Sequence, residues 1–152
     1  MQLTAFQVQN YRSINDSGRI EARQRTALVG RNESGKTSLL LALESLNPPD
    51  RKLEPLSYVR DFPRDRPVSE FSEDLPVVMT WWELTRDERA QLTKLLPRAK
   101  DVTEITVSRP YKAAWSVGFT GLPALAVGRL ARRRVWHHHW HHGPRQPARS
   151  CK

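Results

Sequence analysis

The octapeptide Gly30-Arg31-Asn32-Glu33-Ser34-Gly35-Lys36-Thr37 is the stretch of this sequence best equipped for chemistry, because it matches G-x-x-x-x-G-K-[ST]. Gly30 and Gly35 let the backbone bend with few side chains in the way, so successive N–H groups can face phosphate oxygens. A helix beginning at Gly35 aims its free N–H groups and the positive end of its dipole at the same anion. Lys36 supplies a mobile positive charge for the β and γ phosphates, and the Thr37 hydroxyl is a ligand for the Mg²⁺ that bridges them. Ser38, one residue further into the first turn, falls near an α phosphate. At average residue usage the bare pattern arises by chance in roughly one chain of this length in 200. The alternative is a strand-to-helix turn that binds nothing, and the apolar segments on either side of the loop weigh against it.

Those segments are the elements that must position the loop. "LTAFQVQNYRSI" (3–14) has the alternation of a strand, with Phe6 and Val8 on one face, and "NDSG" (15–18) signals a turn. "RIEA" reads as a short returning strand and "RTALVG" (25–30) as a short apolar strand running into the loop. From Gly35 to about Leu46 the leucines recur at helical spacing, and their width predicts a helix mostly buried against a sheet. "NPPD" stops it, and residues 47–76, rich in proline and charge, read as an extended connection with little regular structure. "PVVMTWW" (76–82) is a strand. Thr85 and Glu88 then form a capping box opening a helix to about Leu96, with Leu92, Leu95 and Leu96 as its apolar stripe. "VTEITVSRPYKAAWSVGF" (102–119) alternates as a strand pair with "PYKA" as its turn. Trp81, Trp82 and Trp115 read as packing residues in preference to base-stacking platforms.

With these elements in place the front of the chain resembles the opening of ABC-class ATPases of the SMC, RecF and OLD-nuclease (overcoming lysogenization defect) type. The matching positions are Asn10, Tyr11, Arg12 and Ser13, then Gly30, Asn32, Ser34, Gly35, Lys36 and Thr37. "RDFPR" (60–64), "WWELTRDERAQL" and "EITVSRPYKAAWSV" are similar to the antiparallel arm that OLD-like proteins insert after the first helix. The resemblance covers about residues 1–118 and implies an α/β fold: a partial P-loop core of N-terminal strands, loop and helix, carrying an antiparallel β arm. It implies ATP with Mg²⁺, nucleotide-driven dimerisation, and DNA as a partner. It also implies that Arg12 sits near the phosphates, the alternative being a surface arginine at a strand end.

The pattern departs from that group in lacking a signature motif near LSGG, a Walker B strand ending in Asp-Glu, and a later histidine. "VVMTWWE" is the nearest Walker B candidate, which makes Glu83 a weak candidate metal ligand or water-orienting base; its alternative is a residue just before a helix cap. The expectation is therefore nucleotide binding, with hydrolysis left open; the alternatives are a non-catalytic nucleic-acid-binding module that uses the basic tail, or an inactive truncated remnant. The loss of acids and periodicity near residue 118 suggests the N-terminal piece of a longer ATPase whose reading frame shifted, its partner being a second copy or the absent C-terminal half.

Composition sets the outer bounds. The chain has 152 residues, 27% of them charged and 38% hydrophobic, as in a soluble globular protein of one domain. No stretch reaches the roughly 20 apolar residues of a membrane span, the N-terminus lacks the features of a secretory signal, and the single Cys151 excludes an internal disulfide framework. A cytoplasmic setting is the default expectation. The net charge of +9 belongs to the end of the chain, because all the acids lie in residues 1–104, where 16 Lys and Arg match 16 Asp and Glu. Residues 119–152 read as a basic, disordered tail in which His137–His142 and Arg132–Arg134 are more plausibly solvated than sites for metal or nucleic acid.

Overall fold

The computed structural model describes residues 1–31 and 34–123. Over those residues the chain is one six-stranded antiparallel sheet with helices laid against it. β1 (Gln2–Tyr11) is its organising strand. On one edge it pairs with β4 (Pro76–Glu83) from Gln2↔Glu83 to Val8↔Val78; on the other it carries β2 (Ile14–Asp16) and β3 (Ile20–Glu21) end to end. β5 (Glu104–Pro110) and β6 (Ser116–Thr120) extend the sheet, giving the order β2-β1-β4-β5-β6. The strands expected to form an inserted arm are therefore continuous with the N-terminal strand, because β4 bonds directly to β1.

The main core forms where Phe6, Val8 and Val78 meet α1 (Lys36–Glu44), whose Ala42 is fully buried, and Phe62, Val77 and Tyr111 close it. Leu39, Leu41, Leu43 and Leu46 pack at its margin. Full burial of an aliphatic side chain such as Val8 or Val78 contributes about 1.5–3 kcal/mol, and the half-buried leucines contribute less. The C-terminus of α1 is pinned by the buried Arg109, whose guanidinium donates to the carbonyls of Ser45 and Glu54 and places a cation at the negative end of the helix dipole. A smaller core of Leu84, Ala99 and Val102 lies under α3 (Arg86–Leu95). The capping box expected at Thr85 and Glu88 is present in full.

Three expectations are corrected. Residues 25–30 form no strand, and Val29 is 93% exposed. A short parallel strand needs a neighbour to satisfy its backbone, and β2 and β3 already occupy the free edge of β1. α1 is less buried than its leucine content suggests: Leu40 is 58% exposed, since only one side of the helix meets the sheet. Leu95 is likewise 86% exposed and lies outside the α3 core, which uses Leu92 and Leu96.

Residues 47–76 hold more structure than their composition suggests. They contain the single-turn helix α2 (Tyr58–Asp61) and a 3₁₀ turn at Val68–Glu70. Tyr58, Phe62, Phe71 and Tyr111 interlock with ring centroids 4.8–6.1 Å apart, several edge-on. Such edge-on pairs add about 0.5–1.5 kcal/mol each beyond area burial. The cluster clamps the connection to the end of the sheet where α1 begins.

Candidate functional site: the loop before α1 and the β1–β2 corner

The loop enters α1 through Gly35, which has φ +85°. Only glycine takes that conformation without strain, and a Cβ there would also come within 3.4 Å of Ser13 Oγ and Ile14 Cγ1. Lys36 folds back under the loop: its Nζ donates to the carbonyls of Gly30 (2.7 Å) and Arg31 (2.5 Å) and lies 3.3 Å from Ser34 Oγ. The ammonium thus ties Gly30, Arg31 and Ser34 to the helix start while the side chain stays half-exposed. Thr37 is exposed on the first turn of α1. Ser38 Oγ lies 3.4 Å from Ser13 Oγ, which joins the helix start to the tight turn between β1 and β2. Asn32 and Glu33, also expected in the loop, lie outside the described residues, as do Arg132–Arg134 and His137–His142.

That turn has only Arg12 and Ser13 between the paired Tyr11 and Ile14. Arg12 has φ +52°, at a position where hairpins usually place glycine. Strain of this kind persists only where the surroundings over-determine it, and here they do. The Arg12 amide donates to the Asp61 carbonyl at 2.7 Å, and its Nε and Nη2 both approach Asp61 Oδ1 at 3.3 Å. Arg60 binds the same carboxylate, Nη2 to Oδ2 at 3.2 Å, and the Ser57 amide donates to Oδ2 at 2.9 Å. Asp61 is fully buried, whereas the side chains of Arg12 and Arg60 remain 34% and 68% exposed. The hydrogen bond to Asp61 holds the Arg60 guanidinium above its usual pKa.

Asn10, at φ +54°, completes the corner: its Nδ2 donates to the Pro76 carbonyl at 2.9 Å, and Arg66 donates to its Oδ1. From the β5–β6 turn, Tyr111 directs its hydroxyl at the carbonyls of Asn10 and Asp61, the latter at 3.0 Å. Burial pushes the Tyr111 phenol well above its ordinary pKa and keeps it a donor.

The fold therefore gathers Gly30, Ser34, Gly35, Lys36, Thr37 and Ser38 with Ser13, while the Arg12 side chain is bound to Asp61. It does not bring Glu83 to them. Glu83 pairs with Gln2 and Glu104 at the opposite end of β1, roughly 30 Å away at about 3.3 Å per residue. The corner also uses Arg60, Asp61 and Tyr111, and nothing local in "RDFPR" marks its carboxylate as buried. Among the described residues no group of three or more His, Cys, Asp or Glu side chains is placed to hold a metal.

The loop shares with strand–loop–helix phosphate sites a glycine at positive φ opening a helix, and differs from them in that no strand among the described residues enters it. The sequence model of the family described as AAA ATPase domain matches residues 1–102, and the chain belongs to that family. Membership implies binding of a nucleotide. No curated protein matches the chain. No helix among the described residues is long and apolar enough to cross a membrane.

Proposed function

We propose that the chain binds ATP with Mg²⁺ through residues 30–37, as the N-terminal portion of an SMC/RecF/OLD-like ATPase linked to DNA metabolism or defence. The observation that carries this reading is Lys36, held on the carbonyls of Gly30 and Arg31 at the mouth of α1. In that position the lysine spans the loop, and its three N–H donors, engaged by Gly30, Arg31 and Ser34, would turn from these partners to a β or γ phosphate when nucleotide binds. Thr37, exposed on the first turn, would hold Mg²⁺, which when bound neutralises charge on the phosphates. The Asn10-Tyr11-Arg12-Ser13 corner supports the finer assignment through Ser13, which touches Ser38 on the first turn of α1; the Arg12 guanidinium is bound to Asp61. Glu83 has no part in the reading, so a water-orienting base would come from a second copy or from a separate C-terminal half.

The test is equilibrium binding of labelled ATP in the presence and absence of Mg²⁺. Lys36→Ala removes two or more charge-assisted contacts, at about 1.5–3 kcal/mol each, and should weaken binding at least about 100-fold. Thr37→Ala should spare Mg²⁺-free binding and abolish the gain from Mg²⁺. Wild-type affinity in Lys36→Ala would refute the assignment.

A further inference from the structure

Beside the β1–β2 turn, and lined in part by the Ser13 that touches Ser38, lies an open cleft of ≈ 570 Å³ formed by Arg12, Ser13, Arg60, Phe62, Arg64 and Asp65. Its volume falls in the range of about 300–1,000 Å³ typical of small-molecule sites. Three of its six lining side chains are arginines. Two of these are held in place from beneath, because the buried Asp61 carboxylate takes the Nε and Nη2 edges of both Arg12 and Arg60. Each guanidinium has five N–H donors in a rigid fork, so each retains donors that Asp61 does not use. Arg12, the better shielded of the two, is fixed in advance, which removes part of the entropy that a ligand would otherwise have to overcome, and Arg60 is held more weakly. Arg64 is exposed and makes no salt bridge among the described residues. Asp65 opposes it, but its Oδ2 is already bonded by Asn15 Nδ2 at 2.9 Å. Three guanidiniums thus face two carboxylates, one of them buried and saturated, and the cleft keeps an excess of positive charge and of directed donors.

We propose that this cleft is a phosphate-binding subsite in which Arg60 and Arg64, with Arg12, clasp a tetrahedral phosphate group. Arginine suits the task because its planar fork matches two phosphate oxygens at once. Ser13, bonded on one side to Ser38 and open on the other to the cleft, adds a hydroxyl at the boundary. The phosphate belongs either to the ligand seated in the neighbouring loop, reaching across Ser13, or to a separate phosphate-bearing molecule.

The experiment titrates inorganic phosphate and then pyrophosphate into the full chain, reading thermal protection and calorimetric affinity. The variants are Arg60→Gln, Arg64→Gln, Lys36→Ala and, as a charge control at the far end of the sheet, Arg86→Gln. Arg60 and Arg64 are exposed, so both variants should fold. Each should weaken binding of at least one probe about tenfold or more, the loss of one charge-assisted contact, while Arg86→Gln has no effect. If Lys36→Ala also abolishes that binding, the phosphate belongs to the loop's ligand; if binding survives Lys36→Ala, a separate molecule supplies it. Binding that falls with Lys36→Ala and is unmoved by Arg60→Gln and Arg64→Gln overturns the subsite while leaving the loop reading intact. Equal losses in Arg86→Gln, or no protection of the wild type by either probe, overturn it as well.

Discussion

Asp61→Asn is the most informative single substitution for the architecture, because it keeps the shape of a fully buried side chain and removes only its charge and one acceptor. In the folded protein Asp61 accepts Arg12 Nε and Nη2 at 3.3 Å, Arg60 Nη2 at 3.2 Å and the Ser57 amide at 2.9 Å. An asparagine amide can serve one of these directions with its oxygen and sets N–H against N–H in another. The Arg60 share is discounted to below about 1 kcal/mol, since that side chain is 68% exposed and screened. The Arg12 pair and the Ser57 amide are better shielded, at about 1–3 kcal/mol each. The expected net loss is therefore about 2–4 kcal/mol. For the roughly 120 described residues that corresponds to a fall in Tm of roughly 10 °C. Thermal and urea unfolding followed by circular dichroism would measure it. A double-mutant cycle with Arg12→Ala should return most of the coupling, and one with Arg60→Ala little. An Asp61→Asn variant that melts within about 2 °C of the wild type, well inside the range of ordinary surface substitutions, would refute the claim that this carboxylate holds the corner together.

Other consequences are checked with the same equipment. Tyr111→Phe deletes the hydroxyl that reaches the Asn10 and Asp61 carbonyls, and should cost about 1–2 kcal/mol in urea midpoint analysis without altering the m-value. Glu88 has its pKa lowered from 4.5 to about 2, first by the Met1 ammonium and then by the Thr85 amide and hydroxyl. Because the folded pKa is depressed, this stabilisation is present above about pH 4.5 and disappears as pH falls towards 2; melts across that window should slope less in Glu88→Gln. Val29→Ser and Leu40→Gln, at 93% and 58% exposure, should each shift stability by less than about 0.5 kcal/mol, and a larger loss in monomeric protein would mean that these side chains are covered.

Local signals carried the elements well. Strand alternation in Phe6 and Val8, the capping box of Thr85 and Glu88, and the turn after Pro110 depend on residues within a few positions of one another, so they were legible in the sequence. So was the loop before α1, whose glycine at position 35 is explained by a positive φ and a close neighbour. What failed was whatever depends on a partner. The apolar run 25–30 has a strand's composition, but a strand exists only when another pairs with it. Leucine content overestimated the burial of α1 because composition does not say how many sides a sheet will cover.

The corner around Arg12 shows the division most clearly. Sequence alone marked Arg12 by its place in Asn10-Tyr11-Arg12-Ser13, but it could not show that Asp61, 49 positions later, would lie beneath it. Nor could it show that Tyr111, 101 positions after Asn10, would cap the same backbone. Covalent neighbours and short-range periodicity determined where most of the elements begin, the glycine start of α1 among them. Burial of one carboxylate, the left-handed turn it stabilises and the cleft of arginines above it arose only when β1, α2 and the β5–β6 turn closed on one another, since the low-dielectric surroundings and long-range pairs involved do not exist in any local segment of the chain.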